Sequence, residues 1–98
     1  MSSSLRVRPA AAADIEDAYR WYEARRPGLG EEFLQSVGSI LEVIAREPKR
    51  FPVVHRDLRR ALLQRFPYGI FFRIQGDRLM VVACFHASRD PRRWQSRH

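Results

Sequence analysis

Apolar and polar positions alternate most regularly in the second half of the chain. Tyr68, Ile70, Phe72 and Ile74 alternate with Gly69, Phe71, Arg73 and Gln75, so one face of this run is wholly apolar and a strand is predicted. Upstream, Arg59 to Phe66 reads as another strand, and downstream Arg78 to His86 as a third. In the third run Leu79, Val81, Ala83 and Phe85 stand against Met80, Val82 and Cys84. Both faces are apolar, which predicts an interior strand covered on each side. Gly76-Asp77 between the last two runs suits a two-residue hairpin, because glycine at the first central position tolerates positive φ.

The first half has helical periodicity. Leu5-Arg6-Val7-Arg8-Pro9 alternates briefly and predicts a short strand stopped by proline. From Ala10 to Arg26 a run of alanines precedes Ile15, Ala18, Tyr19 and Tyr22 at helical spacing. Pro27-Gly28 ends that helix. Glu31 and Glu32 open a second one, with Phe33, Val37, Ile40, Leu41 and Ile44 as its apolar stripe and Pro48 as its stop. The short connection implies an antiparallel helix pair. Lys49 to Leu58 reads as an ordered loop. Trp21 lies off the main stripe, so it either packs between the helices or anchors a partner.

The expected architecture is therefore α+β, in the order β-α-α-β-β-β, with an N-terminal helical hairpin on one face of an antiparallel sheet. Phe33, Val37, Ile40, Ile70, Phe72 and Val81 should form its core. Residues 1–98 make a single domain, with a disordered start at 1–4 and a basic C-terminal tail at 87–98.

Composition narrows the class. No apolar run approaches the roughly 20 residues of a membrane helix. The first residues lack the pattern of a signal peptide, which suits a cytoplasmic protein. Cys84 is the only cysteine and lies in an apolar strand, so it reads as a buried, inert thiol. Charge is uneven. Residues 1–55 carry eight Lys/Arg against eight Asp/Glu, whereas residues 56–98 carry ten Arg against Asp57, Asp77 and Asp90. The net charge of +7 thus belongs to the sheet half, which favours a polyanionic partner, either nucleic acid or an acidic protein segment.

Several chemistries find no support. His55, His86 and His98 are dispersed, with no metal-ligand spacing, and the five glycines form no phosphate loop, so neither metal nor cofactor is expected. Ser88 beside His86 lacks an orienting acid. What remains is a basic and aromatic cluster at the sheet's exit. If the protein cleaves RNA, Arg59, Arg60, Arg73, His86 and Arg89 are the candidates. Arginines neutralise phosphate but shuttle protons poorly, and His86 serves equally well as base, acid or structural histidine.

These residues carry a resemblance. Ala13-Asp14-Ile15 in the first helix, Tyr68-Gly69-Ile70-Phe71-Phe72-Arg73, and His86-Ala87-Ser88-Arg89-Asp90-Pro91-Arg92-Arg93-Trp94 appear in that order. Together with the element order they resemble the RelE/ParE toxin superfamily of type II toxin–antitoxin modules, from about Leu5 to Trp94. The closing segment is similar to that of plasmid stabilisation proteins. The resemblance implies a toxin neutralised by an acidic, partly disordered antitoxin encoded beside it, the two forming a hetero-oligomer.

Its target is either DNA gyrase, for ParE-like members, or messenger RNA in the ribosome, for RelE-like endonucleases. Gly69 stands where RelE-like enzymes often place arginine, and Trp94 where a catalytic tyrosine is expected. Both departures favour the gyrase reading. A non-toxic basic protein that binds an antitoxin or nucleic acid is a further alternative. On the gyrase reading Arg89, Arg92, Arg93 and Trp94 form a free target-binding tail, removable without loss of the fold. Trp21, Arg60 and Arg73 are the candidates for antitoxin contact.

Overall fold

Strand β1 (Ser4–Val7) leads through one residue into helix α1 (Pro9–Arg25), which turns back into α2 (Leu29–Arg46). A 3-10 turn at Pro48–Arg50 and four strands follow: β2 (Val53–His55), β3 (Leu58–Leu62), β4 (Tyr68–Gln75) and β5 (Arg78–His86). A short helix, α3 (Pro91–Gln95), comes last. This is a computed structural model, and it describes residues 4–97. The expected disordered start falls mostly on residues outside that range, and Ser4 itself belongs to β1.

All five strands form one sheet in the order β1-β5-β4-β3-β2. The expected antiparallel sheet is correct for β2 to β5, but the edge strand β1 pairs parallel to β5, from Ser4 opposite Arg78 to Val7 opposite Val81. The loop expected at Lys49–Leu58 contains β2, paired antiparallel to β3. Its hairpin was hidden because Arg56, not glycine, takes the left-handed conformation, at φ 53°. At the β4–β5 hairpin Gly76 does so, at φ 63°, as its position predicts.

Helices α1 and α2 cover one face of the sheet. Phe33, Val37, Ile44, Ala18 and Tyr22 meet Ile70, Phe72, Leu79, Val81 and Cys84 there, and Ile40 packs at the margin, half-buried. The start of α2 has no cap of its own. Glu23 of α1 supplies one, accepting hydrogen bonds from the N–H groups of Gly28 (3.0 Å) and Gly30 (2.9 Å).

The other face is not left open. Leu58, Phe71, Val82 and Ala83 are buried there beneath Trp94 of α3. The tail expected to hang free is folded from Pro91 to Gln95, with Asp90 accepting a hydrogen bond from the Arg92 N–H and proline at the first turn. That Asp-Pro pair is a helix-start signal legible in the sequence.

One irregularity in β5 sets up everything beyond it. Phe71 pairs with Ala83 but Phe72 pairs with Val81, so Val82 is an extra residue, a β-bulge. The alternation read from the sequence is correct up to Val81 and reversed after it. Val82 and Ala83 both join the α3 face, and Cys84 joins Leu79 and Val81 under the long helices.

Candidate functional site

Asp14, Asp17, Ala18, Trp21 and Tyr22 are spaced three and four apart, so they share one stripe of α1. That stripe forms one wall of a cleft of about 600 Å³. Tyr68 at the start of β4, Cys84 to His86 at the end of β5, Ser88 and Arg89 in the turn, and Arg93 and Arg97 complete it. The bulge makes this possible, because it turns Cys84, and with it the end of β5, toward the α1 side.

The edge of β5 beyond β1 needs partners for its backbone. Pairing with β1 stops at Val81, whose carbonyl accepts from the Arg8 N–H at 2.9 Å. Past that point side chains replace a strand. The Asp14 carboxylate accepts from the Cys84 N–H at 3.0 Å, and Arg97 donates to the Val82 carbonyl at 2.8 Å. Arg97 also holds Asp14 through both carboxylate oxygens, at 3.0 and 3.1 Å, and lies over the Phe85 ring. Arg97 was not among the sequence candidates. Its partners are remote in the chain, and no local pattern marks it.

His86 stands edge-on to Tyr68, with ring centres 5.2 Å apart. Its Nδ1 accepts from the Ser88 N–H at 3.0 Å and lies 2.8 Å from the Ser88 hydroxyl. In the neutral ring the proton therefore resides on Nε2. Burial pushes the phenols of Tyr22 and Tyr68 above their ordinary range, with Arg89 near Tyr68 partly opposing it. Burial, with Asp14 beside it, pushes the Cys84 thiol up to about 12, so it is neutral and inert at physiological pH. The cleft offers cations and neutral phenolic donors, a composition suited to holding an oxyanion. Among the described residues no group of three or more His, Cys, Asp or Glu side chains is placed to hold a metal.

The five nuclease candidates do not converge. Only His86 and Arg89 line the cleft. Arg59 donates to the backbone carbonyls of Phe51 (2.7 Å) and Lys49 (3.4 Å), clipping the loop before β2. Arg60 pairs with Phe71 across the strands and extends over Gly69, where a Cβ would meet its side chain at 3.2 Å. Arg73 lies on that same α3 face, 3.6 Å from the Asp57 carboxylate, with its Nε buried and unbonded among the described residues.

The tail candidates divide as well. Trp94 is only 7% exposed and stacks on Phe71 at 4.4 Å, so its aromatic area is spent inside the fold. Arg92 is bound to Asp90 through Nε and a terminal nitrogen at 2.7–3.2 Å. Arg89 and Arg93 face the cleft. Of the candidates for antitoxin contact, Trp21 is 52% exposed at the cleft rim with the Arg25 guanidinium 4.2 Å above its ring, while Arg60 and Arg73 are on the opposite side of the sheet. The partner-anchor account of Trp21 thus has the exposure it requires, and burial between the helices is excluded.

Comparison with known proteins gives a family from the sequence and fold neighbours from the structure. A family described as the ParE toxin of type II toxin–antitoxin system, parDE, matches residues 5–91. The fold is similar to a chain of the chromosomal ParDE toxin–antitoxin system from P. aeruginosa, with a TM-score of 0.78 and 20% identity over 87% of this chain and 96% of that one. It is also similar to a chain of the RelBE2 toxin–antitoxin complex from Mycobacterium tuberculosis, with a TM-score of 0.62 and 17% identity over 88% of this chain and 99% of that one. No curated protein sequence matches.

Proposed function

Because the chain belongs to the ParE toxin family of type II toxin–antitoxin systems, we propose that it acts on DNA gyrase to block replication until a cognate antitoxin neutralises it. The family match over residues 5–91 carries this reading. Its setting is the cytoplasm, and no helix among the described residues is long and apolar enough to cross a membrane. The antitoxin is an acidic, partly disordered chain that folds over the arginine-rich half, with net charge +7 as the attraction.

Ribosome-dependent cleavage of messenger RNA is the competing activity. General acid–base cleavage requires proton-transferring groups and a cation around one phosphate. The dispersal of Arg59, Arg60 and Arg73 away from His86 and Arg89 supports the gyrase target instead. One preparation tests both. Purified protein is expected to inhibit gyrase supercoiling and trap cleaved DNA, while primer extension on translated messages shows no new ends. Clean cuts in the ribosomal A site with normal supercoiling would overturn the proposal.

A further inference from the structure

On the α3 face of the sheet one row of side chains is interrupted by a glycine. Gly69 of β4 pairs with Leu62 of β3 on one side and with Phe85 of β5 on the other. The aliphatic stem of Arg60 and the Leu62 side chain lie over it, since a Cβ there would meet them at 3.2 and 3.5 Å. Trp94 covers Phe71, Val82 and Ala83 but leaves Leu62 open. At 56% exposure, Leu62 is the most exposed large apolar side chain among the described residues. Beside it, Arg60 is half-buried, and no side-chain hydrogen bond or ion pair joins it to another described residue. Its neighbours are engaged: Arg59 holds the loop carbonyl of Phe51, and Arg73 lies against Asp57.

We infer that Leu62 and Arg60 form the contact by which this chain seats on the protein surface of gyrase, with an apolar side chain of the target against Leu62 and a carboxylate against Arg60. The identity of the partner rests on the gyrase reading above; the chemistry rests on the patch. An apolar centre with an arginine at its side is the composition of a contact between folded proteins. Arg60 suits that role better than the exposed Arg89 and Arg93. Packing on Gly69 already restricts its stem and removes part of its hydration, so less ordering remains when a carboxylate arrives. Nucleic acid would leave Leu62 uncovered, and it calls for several cations where the patch supplies one. A second copy, paired about a two-fold axis, would bring Arg60 toward Arg60 between chains of net charge +7. The patch is also on the face of the sheet away from the α1 cleft, so target and antitoxin need not share a seat.

The test measures binding of the full chain to purified gyrase without DNA, inhibition of supercoiling, and affinity for the product of the neighbouring reading frame. Leu62→Thr removes apolar area while keeping a good strand former, and Arg60→Gln removes the charge while keeping a stem over Gly69. Each should weaken gyrase binding by at least about 10-fold and raise the half-inhibitory concentration in proportion. Val53→Thr and Arg46→Gln, which change an exposed valine and an exposed arginine elsewhere, should cost less than about 2-fold. Affinity for the neighbouring product should be unchanged in all four variants, which also reports an intact fold.

A parent chain that neither binds nor inhibits gyrase would reject the gyrase reading and the occupant with it. Gyrase binding equal in the patch variants and the parent would retain that reading and overturn the patch. Lost inhibition with unchanged DNA-free binding would transfer Arg60 to a DNA contact and overturn the inference. A matching loss of affinity for the neighbouring product would overturn it as well, since the patch would then belong to the antitoxin or to the fold.

Discussion

Arg97 grips both carboxylate oxygens of Asp14, at 3.0 and 3.1 Å, and so ties the end of the described chain to the first helix. The two side chains are 25% and 13% exposed, and Asp14 also accepts the Cys84 N–H. Removing Asp14 abandons a cation and a backbone donor together, whereas removing Arg97 leaves Asp14 with its backbone bond. Losing one member of a well-buried pair costs about 3–5 kcal/mol; with this partial exposure, about 2–3 kcal/mol is expected for Asp14→Ala and about 1–2 kcal/mol for Arg97→Ala. Urea denaturation of the two single variants and the double variant measures the coupling. Additive losses would show that the pair contributes nothing jointly.

Trp94 supplies the apolar contact by which α3 covers Phe71, Val82 and Ala83. Trp94→Ala should cost about 3–5 kcal/mol, the range for emptying a buried aromatic site. Deleting residues 92–98 should destabilise the fold at least as much, contrary to the expectation of a dispensable tail. A growth assay on that truncation therefore confuses lost fold with lost contact; Arg93→Ala, with thermal melting alongside, separates them. Unchanged melting after Trp94→Ala would refute the packing role.

How much was legible depends on where the information resides. The apolar face of β4 was readable from Tyr68 to Ile74 because a regular strand alternates strictly, and burial of Ile70 and Phe72 follows from it. The same logic failed after Val81. With both faces of β5 covered, apolar residues on either side conceal a bulge, since no polar residue is displaced to reveal it. Helix α3 announced itself through Asp90-Pro91, but the density of arginine around Trp94 suggested an exposed segment. Arg97 and Asp14 meet 83 positions apart, a relationship that local pattern does not encode.

Two glycines of α2 should respond oppositely to alanine. At Gly30 an added Cβ would lie 2.7 Å from the Tyr19 ring and 2.8 Å from the Glu23 carboxylate, the group that caps the helix. Overpacking plus a disturbed cap predicts a loss of about 2–3 kcal/mol for Gly30→Ala. At Gly38 nothing lies within 4 Å, so Gly38→Ala should gain about 0.5–1 kcal/mol from helix propensity alone. Paired chemical denaturation curves check the contrast, and a common sign would contradict it.

Glu32 links α2 to the loop before β4, accepting from Arg65 at 2.6 Å and from Arg26 at 3.1 Å. The hydrogen bond from Arg65, aided by Arg26, holds its carboxyl below the ordinary value of 4.5. A carboxylate lowered in the folded state binds protons more readily when unfolded. Its contribution is therefore complete above the unfolded value and is lost as pH falls through the folded one. Melting temperature should fall on acidification below about pH 4.5, partly because Glu32 surrenders these contacts. Glu32→Gln should be less stable than the parent at pH 7, with the difference shrinking toward pH 3. Asp90, also held low by Arg92, contributes an acid-sensitive slope of its own, so the Gln variant should keep a shallower acid limb. Thermal melts of both proteins across that range measure the difference directly. A gap that is constant with pH would mean that the carboxylate's charge is not what ties α2 to the loop.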